Sequence, residues 1–326
     1  MHILIYLDNR IPVATYGGTE RVMWYLGKEL SQLGHTVTYL CHPGSTCPFA
    51  TVIPHDPAKP FDEQIPADVD VIHFNNGTLG KLRKPYIVTH HGNFLHGELD
   101  RNSVFVSRNH ARRYGSESYV YNGLDWNDYG PVDLDAPRTY FHFLGKAAWR
   151  IKNVQGAIDV VRNLPGERLF VLGGYRLNFK MGFRFTLTPK ARFKGMVGGA
   201  EKNAYLQHSK GLIFPVKWDE PFGLAIVESL YFGAPVFGTP YGSLPELVPP
   251  SVGFLTNSAA KMIAHLRNHP VYSPKTCHEW ARDHFNARVM AQAYLKKYQQ
   301  VIDGQPLNPQ HPHALTPDKK REWLKG

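Results

Sequence analysis

The chain has 326 residues, 43% of them hydrophobic and 20% charged, which exceeds the usual limit of one core and suggests about two domains. Three cysteines, Cys41, Cys47 and Cys277, form no paired framework and no CxxC; they offer no disulfide or zinc argument and fit a reduced cytoplasmic protein. A formal net charge of +10 suits nucleic acid, an anionic membrane surface or a phosphorylated small substrate, and by itself does not choose among them.

The first element, HILIYL, is too short and too early for a signal peptide or a membrane span and reads as a buried strand. It is followed by TERVMWYLGKELSQLG, in which Val22, Met23, Leu26, Leu30 and Leu33 recur at spacings of three and four, predicting an amphipathic helix that ends at Gly34. Further strands are predicted at TVTYLCH, VDVIHFN, PYIVTHH, SVFVS and YVYNG. Alternation of short apolar runs with helical segments is the pattern of an open parallel α/β sheet. From Gly123 to Arg138 the text turns polar and proline-bearing (GLDWNDYGPVDLDAPR), the best domain boundary in the chain. A second series then begins: YFHFLG, RLFVLGG, KGLIFPV, PVFGT and GFLT. NARVMAQAYLKKYQQVID is a last helix, and residues 304–326 read as a flexible tail.

The most informative stretch is WDEPFGLAIVESLYFGAPV, residues 218–236. Between Pro221 and Pro245 the only charged residue is Glu228, in a run apolar on nearly every side. A buried ionised carboxylate costs several kcal/mol unless it is hydrogen-bonded, so either the fold or a ligand supplies its partner. KGLIFPV reads as a strand, KWDEPFG as a loop and LAIVESLYFG as a helix, which sets Pro221, Phe222 and Gly223 at a helix N-terminus beyond the carboxyl end of a strand. Unpaired amides and the positive dipole end there suit a phosphate, and Gly223 admits close approach. Glu228 shares a helix face with Leu224 and Ala225, one turn earlier. Its carboxylate there suits a vicinal diol such as a ribose; a structural ion pair is the plain alternative, and helix capping is the plain alternative for Glu220.

EPFGLAIVESLYFGAPV resembles the signature of the retaining, GT-B-fold glycosyltransferases of family 4, with two glutamates separated by seven residues and followed by Gly-x-Pro-Val. YGGTE, THHGN, NGLD, GKAAWRIKN and GGY fall in the family's order, from about residue 2 to residue 302. The resemblance implies an α/β GT-B architecture of two Rossmann-like domains facing across a cleft. Residues 1–137 would form the acceptor-side domain with its linker, 138–285 the nucleotide-sugar donor domain and 286–303 a helix crossing back to the first domain. It implies that Glu228 binds the ribose hydroxyls, that Glu220 faces the transferred sugar, and that Pro221, Phe222, Gly223 and Leu224 hold the diphosphate and sugar, with Gly173 of GGY also on the donor side. Gly17 and Gly18 would let the first helix approach the diphosphate. Lys146 and Lys152 would neutralise the departing nucleoside diphosphate; the family has an arginine at position 146, and Arg150 is the other candidate for its role. His91 would contact the donor sugar, with His90 the alternative by one register step, and His73 would help line the acceptor pocket.

The implied activity is metal-independent and cofactor-free hexosyl transfer with retention, from a nucleoside-diphosphate sugar, UDP first and GDP second, to a glycan, lipid-linked or small-molecule acceptor. A cytoplasmic location with peripheral contact to an anionic membrane accompanies it. A GT-B UDP-sugar epimerase is the near alternative. A nicotinamide dehydrogenase ranks low, because DNRIPVATYGGTERV has no GxGxxG and LCH ends the second strand without an acid. Asp133 and Asp135 make a DxD, but in the linker, where chance accounts for it. RLNFKMGFRFTLTPKARFKG, with six basic residues, no acid and four phenylalanines, has the composition of a nucleic-acid or membrane-binding surface. No nucleic-acid motif accompanies it, so nucleic acid is not an expected partner.

Overall fold

The computed structural model describes residues 1–12, 17–94, 97–179, 181, 183–316 and 321–324. It divides into two units, Met1–Asp125 with Phe285–Pro317, and Trp126–His284 with Asp318–Gly326.

The first unit holds a six-stranded parallel sheet of β1 (His2–Leu7), β2 (Thr36–Cys41), β3 (Thr51–Pro54), β4 (Val71–Asn75), β5 (Tyr86–His90) and β6 (Ser103–Phe105), in the order β3-β2-β1-β4-β5-β6. Its central strands are apolar almost throughout because helices and loops cover both faces of a parallel sheet. On one face Leu4, Tyr6, Leu40, Ile72, Phe74 and Val88 pack with Phe61 and Val69. Alternate residues such as Ile3 and Ile5 face the other way and are fully buried. Each such side chain contributes about 1.5–3 kcal/mol by leaving water. Helix α1 (Gly18–Gln32) buries Val22, Met23, Leu26 and Leu30, as their spacing requires, and ends at Gly34, whose φ of +85° suits glycine. A short helix, α2 (Arg108–Arg113), is N-capped by Ser107.

The second unit repeats the plan. Its strands are β7 (Tyr140–Leu144), β8 (Leu169–Leu172), β9 (Leu177–Asn178), β10 (Arg184–Phe185), β11 (Ala191–Phe193), β12 (Ser209–Phe214), β13 (Val236–Gly238) and β14 (Gly253–Leu255). Its parallel sheet runs β11-β8-β7-β12-β13-β14, the same order as the first when counted within the unit; β9 and β10 form a separate antiparallel ribbon. The helices are α3 (Val154–Arg162), α4 (Gly199–Gln207), α5 (Leu224–Tyr231), α6 (Leu244–Leu247), α7 (Ala259–Arg267) and α8 (Pro274–His284). Helix α9 (Ala287–Ile302), N-capped by Asn286, returns to the first unit, where Tyr294 and Tyr298 meet Thr89 and His73 on the sheet. No helix among the described residues is long and apolar enough to cross a membrane.

Four expectations change. The stretch 119–123 is not a strand but a single bridge, Tyr119 to Phe105. The unit boundary falls after Asp125, not Pro137, because the turn Trp126–Tyr129 packs into the second unit, Trp126 stacking on Tyr231 at 4.1 Å. Phe285, expected at the end of the donor domain, already belongs to the first unit, while the last helix starts where expected, capped by Asn286. The described part of 304–326 is packed rather than loose: Asn308 is buried, its side-chain amide donating to Arg101 O and Ser103 O at 2.9 Å each, and Leu324 bridges Ser258. An amide that satisfies carbonyls beside the edge strand β6 is what a polar, proline-rich sequence hides from a composition argument.

Candidate active site

Strand order reverses in the second sheet between β7 and β12, and ligands of open α/β sheets bind beyond the carboxyl ends of strands at such a point. The loops leaving these two strands are tied together by a hydrogen bond from Lys217 N to Ile151 O of 2.7 Å. Across them Lys152 Nζ donates to Glu220 Oε2 at 2.6 Å, and Trp218 Nε1 donates to the same oxygen at 2.9 Å. The ammonium also lies 4.8 Å from the Trp218 ring centroid. Both side chains of the pair are largely buried, so the two charges hold each other in a poorly screened place.

Helix α5 starts four residues after Glu220. Gly223, its N-cap, has φ +94°, and a Cβ there would come within 2.9 Å of Ile226 Cδ1. Among the described residues no N-cap side chain closes this helix start. The preceding turn is held from behind: Ser243 donates through Oγ to Phe222 O at 2.5 Å and through its amide to Glu220 O at 2.9 Å. A Cβ on Gly242 would lie 2.2 Å from Glu220 N, so only glycine allows this approach. Asp219 accepts from Gly242 N and, in a bidentate pair, from Arg321. Pro221 and Phe222 are buried; Leu224 is partly exposed. The sequence thus builds a rigid strand–loop–helix corner with amides at its tip.

Glu228 lies just over one turn further along α5 and is 3% exposed. Tyr129 Oη donates to its Oε1 at 2.7 Å, and Lys202 Nζ of α4 donates to the same oxygen. The fold therefore supplies donors to this carboxylate from two other elements of the unit. Sequence reasoning missed both donors. A signal existed for Lys202, since it lies one turn before Leu206 and these two are the buried positions of α4. None existed for Tyr129, which the expected linker concealed.

Lys146 and Arg150 are exposed, and among the described residues neither pairs with a carboxylate; Lys146 lies over Trp149. Gly173, with φ +126°, is required by packing: a Cβ there would come 2.2 Å from Gly145 O, where the ends of β7 and β8 meet. Asp135 N donates to Asp133 Oδ1, which makes the DxD an exposed local turn.

In the first unit Gly17 is the N-cap of α1 and Gly18 its first residue, at the carboxyl side of β1. His91 follows β5, with Nε2 2.8 Å from Asn75 Oδ1 and its amide donating to Asn76 Oδ1. Burial pushes its imidazole down to about 3, so it is a neutral group. His90 is buried, with Nε2 2.8 Å from Ser103 Oγ and its pKa lowered to about 4 by burial. His73 does not line a pocket: it is fully buried, Nδ1 lying 2.7 Å from Tyr298 Oη and Nε2 2.8 Å from Thr89 Oγ1, and burial lowers it to about 3. It joins α9 to the sheet, a role the alternation of a buried strand disguises. His90, packed against Phe94 and Phe105, likewise faces the core, not an acceptor.

Residues 131–283 match the family model of Glycosyl transferases group 1, a span covering almost all of the second unit outside its C-terminal segment. Among solved structures the chain is similar to AviGT4, a glycosyltransferase involved in avilamycin A biosynthesis, at 23% identity over 93% of this chain and 98% of that one, with a TM-score of 0.75. It is also similar to sucrose-phosphate synthase from Thermosynechococcus elongatus, at 17% identity over 93% and 100% of the two chains and a TM-score of 0.70. For HepE from Anabaena in complex with UDP and glucose the values are 15%, 91%, 99% and 0.63. No curated protein matches the sequence. The fold is GT-B, with two Rossmann-like domains. Residues 131–283 of the second unit carry a glycosyl transferases group 1 domain, and on that match the chain is a glycosyltransferase.

Proposed function

We propose that this enzyme is a retaining, family 4 glycosyltransferase acting in the cytoplasm, which moves a hexosyl group from a nucleoside-diphosphate sugar, UDP first, to a glycan, lipid-linked or small-molecule acceptor without a metal ion. The observation that carries the reading is the Lys152–Glu220 pair at the strand reversal of the second sheet, beside the uncapped start of α5. A diphosphate at that helix start meets backbone amides, the positive dipole end and the Lys152 ammonium together. Lys146 and Arg150 are the further cations of the same loop. UDP as donor nucleotide is supported by the likeness to HepE, a protein solved in complex with UDP and with UDP-glucose.

The transition state of such a transfer is oxocarbenium-like, with negative charge growing on the departing diphosphate. Lys152 stabilises that charge; removing one such donor lowers turnover by about 10²–10³. Glu220, oriented by Lys152 and Trp218, presents its carboxylate to the positive anomeric centre. The bond from the anomeric carbon to the phosphate oxygen breaks, the bond to the acceptor oxygen forms on the same face, and the leaving phosphate takes the acceptor proton. The ribose diol shares the Glu228 carboxylate, whose orientation Tyr129 and Lys202 fix. Pro221 to Leu224 contact the diphosphate and sugar, and Gly173 keeps the neighbouring strand ends close.

Calorimetry with UDP, GDP, ADP and their sugars tests the site, repeated with Glu228→Ala and Lys152→Ala. UDP is expected to bind the wild type, and each variant to bind it at least about tenfold more weakly, the worth of about 1.4 kcal/mol. Two variants that bind like the wild type would remove the assignment. Product NMR reads the anomeric configuration, and inversion would end the retaining mechanism.

A further inference from the structure

The ribbon of β9 and β10 is built inside out. Leu177 is paired with Phe185 and Asn178 with Arg184, so odd-numbered positions share one face of the hairpin. That face carries Leu177, Phe179, Met181, Phe183 and Phe185, followed by Leu187, and it points to solvent: Phe179 is 72%, Phe183 70% and Leu187 80% exposed. The Phe179 and Phe183 rings lie 5.8 Å apart and pack on each other rather than on the body of the protein. Among the described residues of the other face, Arg176 and Asn178 are partly buried. Arg176 there donates to the carbonyls of Thr186, Thr188 and Ala191 and locks the base of the hairpin, and Thr186 is buried. A ribbon of a water-soluble surface has the reverse arrangement, and an exposed apolar face of this kind marks a binding surface.

Charge selects the occupant. From Arg168 to Ala200 the chain has seven Lys or Arg and no Asp or Glu. A second copy of the chain would set two such cationic segments against each other, and a nucleic acid gains nothing from Leu177, Met181 and Leu187, which offer no ring to stack on. A bilayer with anionic headgroups answers both properties at once, since apolar side chains enter the acyl boundary while the cations stay at the headgroups.

We propose that the hairpin Leu177–Leu187 is a membrane wedge that seats the second unit on an anionic lipid surface. This goes beyond the transfer chemistry and does not depend on which donor or acceptor is used. The test is cosedimentation of the full chain with vesicles of phosphatidylcholine alone and of phosphatidylcholine with phosphatidylglycerol. The wild type is expected to bind the anionic vesicles, and the triple variant Phe179→Ser, Phe183→Ser, Leu187→Ser at least tenfold more weakly, with its urea midpoint unchanged because the three side chains are exposed. In a separate variant, Phe179→Trp, the tryptophan emission is expected to shift to the blue on adding anionic vesicles. Absence of binding by the wild type, equal binding by the triple variant, or no emission shift would overturn the wedge. So would light scattering that shows the wild type self-associating through this face while ignoring vesicles.

Discussion

The two sheets share a strand order and differ in what they bury among their apolar residues. In the first unit the polar groups at the sheet are neutral: buried His73 between Tyr298 and Thr89, buried His90 against Ser103, and partly buried His91 against Asn75. In the second, one neutral group, His142 against Ser209, is joined by charged pairs: Lys152 with Glu220, Lys202 with Glu228, Arg321 with Asp219. One plan of strands and helices therefore tolerates two electrostatic solutions. The neutral one keeps imidazoles unprotonated by desolvation; the charged one depends on both partners of each pair being present.

Removing one partner of the deepest pair should break the comparison most visibly. Lys202→Met leaves the Glu228 carboxylate buried without its cation, and urea denaturation is expected to show a loss of about 3–5 kcal/mol. Adding Glu228→Gln in that background should restore most of it, since an amide costs far less to bury than an ion. A single-variant loss below about 1 kcal/mol, the worth of a surface pair, would mean that the charged solution is not structural.

Acid should act on the other solution. Burial lowers His73 and His91 to about 3, His90 to about 4 and His110 well below its ordinary value; His142, also at about 3, is the deeply lowered imidazole of the second unit among the described residues. The unfolded chain takes up these protons near pH 6.5 and the folded chain does not. Stability is therefore full above pH 6.5 and falls as pH drops from there toward 4, at about 1.4 kcal/mol per pH unit for each buried histidine. Hydrogen exchange at pH 7 and pH 5 is expected to show β4 and β5 losing protection before β12 and β13. Equal loss in both units would dissolve the contrast, and His73→Asn should lessen the slope by one histidine's share.

The smallest effect sharpens the charged side. Arg321 is 34% exposed where it grips Asp219, so Arg321→Ala should cost about 1 kcal/mol in the same urea measurement. A much larger loss would make the C-terminal segment a structural part of the second unit on the scale of the buried pairs.

Local pattern was legible where one element decides its own fate. The spacing of Val22, Met23, Leu26 and Leu30 announces α1, and the glutamates of 218–236 announce a strand–loop–helix corner. The segments β3, TVIP, and β9, with two residues, carry too little periodicity to be seen, and 119–123 has strand composition but ends as one bridge beside β6. The exposed ribbon face was visible as composition and not as an orientation. At the site, Lys152 and Glu220, singled out through the family resemblance, pair just before Gly223, the N-cap of α5.

The sequence by itself determined two series of βα units, a return helix and a lone carboxylate in an apolar helix, because these follow from spacings within a few residues. Tertiary structure alone decided what that carboxylate touches. Tyr129 and Lys202 stand 99 and 26 residues from Glu228, and Arg321 stands 102 from Asp219. A buried charge takes whichever donor packing brings within reach, and a spacing along the chain does not encode that distance in space.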